Sequence, residues 1–109
     1  MSVDEYQPRY VGDTGNPLFI TLLDYSNTPY VLTGLTLATA YAFKLINISN
    51  GTIITGAGTW SYVNAAQGQI QYAWNAADVA IAGMYRIKVV VTFPSGALTF
   101  DQKLIEILP

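Results

Sequence analysis

The chain contains neither cysteine nor histidine. Without thiols there are no disulfides, no thiolate nucleophile and no cysteine-based zinc site. Without imidazole the commonest general acid and base is missing as well. Charge is scarce. Charged residues make up 11% of the sequence, less than half the roughly 25% of an average globular protein. The surface must therefore be built from Thr, Ser, Asn, Gln, Tyr and Ala. A formal net charge of -2, with five basic residues scattered along the chain, provides no electrostatic footprint for nucleic acid or for an anionic membrane. No run approaches the roughly 18 apolar residues that cross a bilayer. The opening MSVDEYQPRY has no basic n-region and no apolar h-region, so no secretory signal is read, and the expectation is a soluble protein made in a cytoplasm. No phosphate-binding glycine loop is present.

What the sequence does have is apolar content, at 51% of its 109 residues. That is too much for a disordered chain and enough for the core of one domain, read as residues 1–109. Short apolar, aromatic and β-branched runs recur at 18–24, 35–46, 51–55, 59–63, 69–74, 84–93 and 104–108, separated by turn signals such as SNTP, ISNG, NAAQG and FPSG. No segment sustains a helical period beyond a single turn at NAADVA. The expectation is an all-β, immunoglobulin-like antiparallel sandwich of about seven strands with Greek-key connections.

Alternation assigns the faces. Ile70, Tyr72 and Trp74 share one face of their strand, and Tyr85, Ile87, Val89 and Val91 share one face of theirs. Tyr41, Phe43 and Leu45 oppose a row of Ala38, Ala40, Ala42 and Lys44. The first set in each case is the expected core, with Trp74, Tyr72, Phe43 and Ile87 meeting between the sheets.

The stretch WNAADVAIAGMY at 74–85 reads as the crossing that leads into a tyrosine corner, in which a tyrosine near the start of a strand returns its hydroxyl to backbone a few residues upstream. Asp78 is expected to brace the turn through side-chain to backbone hydrogen bonds, Gly83 to supply backbone freedom, and Tyr85 to bury its ring. In the alternative, Asp78 and Gly83 simply end a loop and Tyr85 is an ordinary core aromatic. Both readings are structural.

The segments GDTGNPLFITLLD (12–24), TPYVLTGLTL (28–37), GQIQYAW (68–74), AGMYRIKVVVTFPSG (82–96) and LTFDQKLIEI (98–107), taken in order, resemble the N-terminal domain of the phage baseplate upper protein family. The resemblance implies an immunoglobulin-like structural or adaptor module of a tailed-phage virion, made in the bacterial cytoplasm, in the baseplate, tail, neck or head decoration. Its implied partners are copies of itself and other phage structural proteins.

The residues themselves point away from catalysis. Seven carboxylates are scattered over turns, termini and strand ends, and no cofactor or metal is expected. Asp13 and Asp24, near strand ends, are the one carboxylate pair with any prospect of a calcium or hydrolytic site, and turn-capping is the commoner role for such residues. Two sequons begin at Asn47 and Asn50; Asn50-Gly51 is read as a hairpin turn with positive φ angles. A sugar-binding or receptor-binding sandwich is the alternative function, drawing on Tyr6, Tyr10, Tyr25, Tyr30 and one of Trp60 or Tyr62 as surface aromatics.

An interface is expected from strand 18–24, which is apolar on both faces. Leu18, Ile20 and Leu22 oppose Phe19 and Leu23, whereas a strand of an isolated sandwich shows water one polar face. The row Ala38, Ala40, Ala42 offers a flat second surface. Each is covered either by a neighbouring subunit or by this chain's own residues 1–11 or 75–83.

Overall fold

The computed structural model describes residues 6–109. These residues form eight strands: β1 (Arg9–Tyr10), β2 (Leu18–Thr21), β3 (Tyr41–Asn47), β4 (Ile53–Thr55), β5 (Thr59–Asn64), β6 (Gln69–Ala73), β7 (Gly83–Phe93) and β8 (Gly96–Leu108). They make two sheets, ordered β1-β8-β7-β3-β4 and β2-β6-β5. In immunoglobulin lettering β2-β6-β5 takes the B-E-D order, and β8-β7-β3-β4 takes the G-F-C-C′ order. All pairings are antiparallel except that of β1, which adds to β8 in parallel, with Arg9 opposite Ile107 and Tyr10 opposite Leu108.

The alternating residues fill the space between the sheets. Ile70 and Tyr72 from β6 are buried with Leu18 and Ile20 from β2, against Phe43 and Leu45 from β3 and Tyr85, Ile87, Val89 and Val91 from β7. Phe43 and Tyr72 stack with ring centroids 3.9 Å apart, and Trp74 meets both edge-on, at 5.4 and 5.7 Å. This aromatic contact joins the sheets between β3 and β6, the C and E positions, whereas the disulfide of antibody domains joins B and F, here β2 and β7.

Two segments depart from the sequence expectation. The 35–46 run is not one strand. Leu37–Ala40 forms a single helical turn, and β3 starts only at Tyr41. The stretch carries no charge, and of its residues Ala38 and Ala40 favour a helical turn, alanine being the strongest helix former; the chain coils once as it crosses from one sheet to the other. The amides of Thr39 and Ala40 both donate to the Thr36 carbonyl. At the other end, β8 begins at Gly96 rather than near Leu104, because β7 and β8 pair all the way to the Phe93–Gly96 turn.

Candidate functional site

The row Ala38, Ala40, Ala42 does not exist as a strand face. Ala38 is exposed on the helical turn, Ala40 is buried beneath it, and Ala42 is half-buried on the outward side of β3 beside Lys44. The row required a strand that the helical turn interrupts.

The other expected surface is real in part. Leu18, Ile20 and Leu22 are buried, while Phe19 is 63% exposed and Leu23 39%. Of the expected cover, residues 6–11 and 75–83 leave Phe19 exposed, and residues 1–5 lie outside the described residues. β2 ends at Thr21, and Leu23 lies beyond it, in an isolated bridge to Pro29 that closes the Asp24 turn. Phe19 and Leu23 therefore do not form one flat face.

Phe19 lies on an open sheet edge. Among the described residues β2 pairs only with β6. The Leu22 amide donates to the Gly68 carbonyl at the end of β6, and backbone groups alternate sides along a strand, so those of Leu18 and Ile20 face β6 while those of Phe19 and Thr21 face away. Among the described residues no hydrogen bond reaches the outward amide or carbonyl of Phe19 or Thr21. The outer face of this sheet is uncharged: Phe19 and Thr21 on β2, Gln69, Gln71 and Ala73 on β6, and Thr59 and Ser61 on β5. Gln71 donates to Ser61 Oγ across the pair.

A groove of about 800 Å³ runs beside this edge, between residues 6–9 and the 12–17 loop, with Phe19 and Ile105 in its lining. Its organiser is Arg9, a residue the sequence reading passed over. The guanidinium donates to the carbonyls of Asp13, Gly15 and Asn16 and lies over the Trp74 ring, 4.6 Å from its centroid. Burial draws the Arg9 pKa down, opposed by the charge of Asp13. The signal in the sequence was a lone basic residue, the first before Lys44, followed by a glycine-rich loop.

The corner residues have defined partners. The Tyr85 hydroxyl donates to the Ile81 carbonyl at 2.8 Å. Gly83 has a φ of 153°, and a Cβ there would stand 3.0 Å from the Asn47 side chain. Asp78 is fully buried. Its Oδ2 accepts from the Asn75 amide and the Tyr72 hydroxyl, and its Oδ1 accepts from the Ala57 amide. Burial, reinforced by the bond to Asp78, raises the pKa of Tyr72.

Asp13 and Asp24 serve their own turns. Asp13 accepts from the Tyr10 amide, and Asp24 from those of Ser26 and Thr28. Among the described residues no three His, Cys, Asp or Glu side chains gather as metal ligands, and no helix is long and apolar enough to cross a membrane. Asn47 and Asn50 accept backbone amides within the β3–β4 turn, where Gly51 alone has a positive φ, of 76°. Of the expected surface aromatics, Tyr10 and Tyr25 are largely exposed, whereas Tyr6, Tyr30, Trp60 and Tyr62 pack against the core. No family model, no curated protein and no solved structure matches this chain.

Proposed function

We propose that this chain is a non-enzymatic structural module of a tailed-phage virion, acting through protein–protein contacts with copies of itself and with other phage structural proteins. The observation that carries the reading is the uncharged β2 edge with Phe19 63% exposed on it. Edges of stable monomeric sheets are normally protected by charge, proline or a cover, and within Leu18–Thr21 this one carries neither charge nor proline. The resemblance to baseplate upper proteins is what points the reading to a virion. The carboxylates support it from the other side, since Asp13, Asp24 and Asp78 each accept turn or loop amides.

Two measurements test it. Phage particles purified from the host that encodes the chain should contain it in stoichiometric amount by mass spectrometry; its absence from intact particles would overturn the virion assignment. Recombinant protein should sediment as an oligomer at tens of micromolar and shift towards monomer when Phe19 is replaced by Ser.

A further inference from the structure

We propose that β2 pairs antiparallel with β2 of a second copy across a two-fold axis, fusing two three-stranded sheets into one continuous sheet; this rests on the reading above that the chain self-associates. The first argument is which edge is open. Of the five edge regions, β1 is a two-residue strand that begins with Arg9, and β8 ahead of its β1 contact carries Asp101 and Lys103. β5 is broken by a register shift between Tyr62 and Asn64. β4 is a three-residue strand. Charge, bulges and shortness each discourage a strand from adding. β2 has the sequence LFIT, runs in unbroken register with β6, and carries no charge. Two copies of it meet without repulsion.

The second argument is self-complementarity. The outward backbone groups belong to Phe19 and Thr21, so an axis passing through Ile20 places Phe19 opposite the partner's Thr21 and Thr21 opposite the partner's Phe19. Each such pair exchanges both of its N–H···O=C bonds. The same register puts the exposed ring of Phe19 beside the partner's Thr21 methyl on the outer face, an aromatic to β-branched cross-strand contact. On the inner face Ile20 stands opposite the partner's Ile20, extending the apolar layer from one sandwich into the next. Pro17, which has no N–H to offer, and the Leu23 bridge to Pro29 bound the pairing at its two ends and restrict register slippage. A pairing this short associates weakly, and repetition in an assembly strengthens it.

The test is hydrogen exchange by NMR on wild-type protein over a concentration series, with sedimentation of two variants. In the wild type, the amides of Phe19 and Thr21 should exchange about tenfold more slowly in concentrated than in dilute solution, while other edge amides do not change. Thr21→Pro removes an outward N–H that no described residue uses, so it should keep the wild-type circular dichroism spectrum and sediment as monomer. Phe19→Ser should weaken association by about tenfold, the loss expected when the two symmetry-related Phe19–Thr21 contacts are removed together. An oligomer that persists in Thr21→Pro, with Phe19 and Thr21 exchanging at one rate throughout, overturns strand pairing and leaves self-association through another surface standing. A wild type that stays monomeric at hundreds of micromolar overturns both. Should Thr21→Pro fail to fold, the wild-type exchange series decides alone.

Discussion

Tyr72 and Asp78 share a hydrogen bond of 2.6 Å in the core, the phenol donating to Oδ2. The same hydroxyl accepts from the Gly58 amide at 2.8 Å, and the other carboxylate oxygen accepts from Ala57 at 2.9 Å. One buried carboxylate and one phenol thus tie the end of β6, the turn after it and the loop between β4 and β5 into a single knot.

Asp78→Ala should be among the most damaging substitutions outside the aromatic core. It strips the Tyr72 hydroxyl and the amides of Asn75 and Ala57 of their acceptor, and an unsatisfied buried donor costs roughly 1–3 kcal/mol. A loss of about 3 kcal/mol or more is expected, read from the denaturant midpoint. Asp78→Asn should lose less, because an amide oxygen still accepts some of these bonds. A variant as stable as wild type would show that the knot contributes nothing.

Gly58→Ala should also destabilise by several kcal/mol, for a steric reason. A Cβ at this position would lie 2.0 Å from the Ala73 carbonyl oxygen and 2.7 Å from the Tyr72 ring. The nearer neighbour is backbone and cannot step aside without moving β6, which is overpacking of the kind that costs about 1–3 kcal/mol or more. Gly15→Ala, with nothing within 4 Å of its Cβ, is the control and should be near neutral by thermal melting.

Tyr85→Phe removes only the hydroxyl that donates to Ile81 and should cost about 1 kcal/mol, the net worth of one such bond. Tyr85→Ala should cost about 3–5 kcal/mol by opening a cavity. Equal midpoints for wild type and Tyr85→Phe would take the corner bond out of the energetics.

Stability should fall in alkali. Burial, with the bond to Asp78, raises Tyr72 above its ordinary value of 10.0, and burial, with the bond to Tyr62, raises Tyr41. A group whose folded pKa is raised keeps its proton in the native state while the unfolded chain loses it. Its contribution is intact below about pH 10 and disappears as pH climbs through the folded values. Urea midpoints should be flat between about pH 7 and pH 9 as far as these two phenols are concerned, then drop by pH 11, with the rise in phenolate absorbance accompanying unfolding. An unchanged midpoint at pH 11 would contradict this.

Arg9→Met keeps an apolar stem over Trp74 but removes the donors that hold the Asp13, Gly15 and Asn16 carbonyls. Amides of residues 12–16 should exchange faster while those of β6 and β7 do not change, a local loosening visible by hydrogen exchange.

The parts of this fold legible in the sequence were those governed by strict alternation. QIQYAW and YRIKVVV place every second side chain in the core, and the turn residues around them announce the strand ends. What was not legible depended on distant partners. Arg9 and Tyr10 are a strand only because β8 is there to receive them, and no two-residue segment advertises that. The alternating Leu-Thr-Leu-Ala-Thr-Ala suits a strand and a helix equally, and the crossing between sheets decided for the helical turn. Phe19 and Leu23 looked like one surface because the pattern shows the period of a strand but not where it stops, and β2 stops at Thr21. Asp78 was readable as a local brace of its turn, whereas its bonds to Tyr72 and Ala57 join segments whose approach no spacing encodes.

The parallel seating of β1 on β8 has a mechanical consequence. The strands run the same way, so a pull entering ahead of β1 and one leaving after β8 act on opposite ends of the pair. The Arg9–Ile107 and Tyr10–Leu108 pairs, with the flanking bonds from the Tyr6 amide to Leu104 and from the Val11 amide to Leu108, then bear the load together in shear instead of opening one after another like a zipper. The short strand thus acts as a clamp, and tension along the chain must break it before it reaches the sandwich behind.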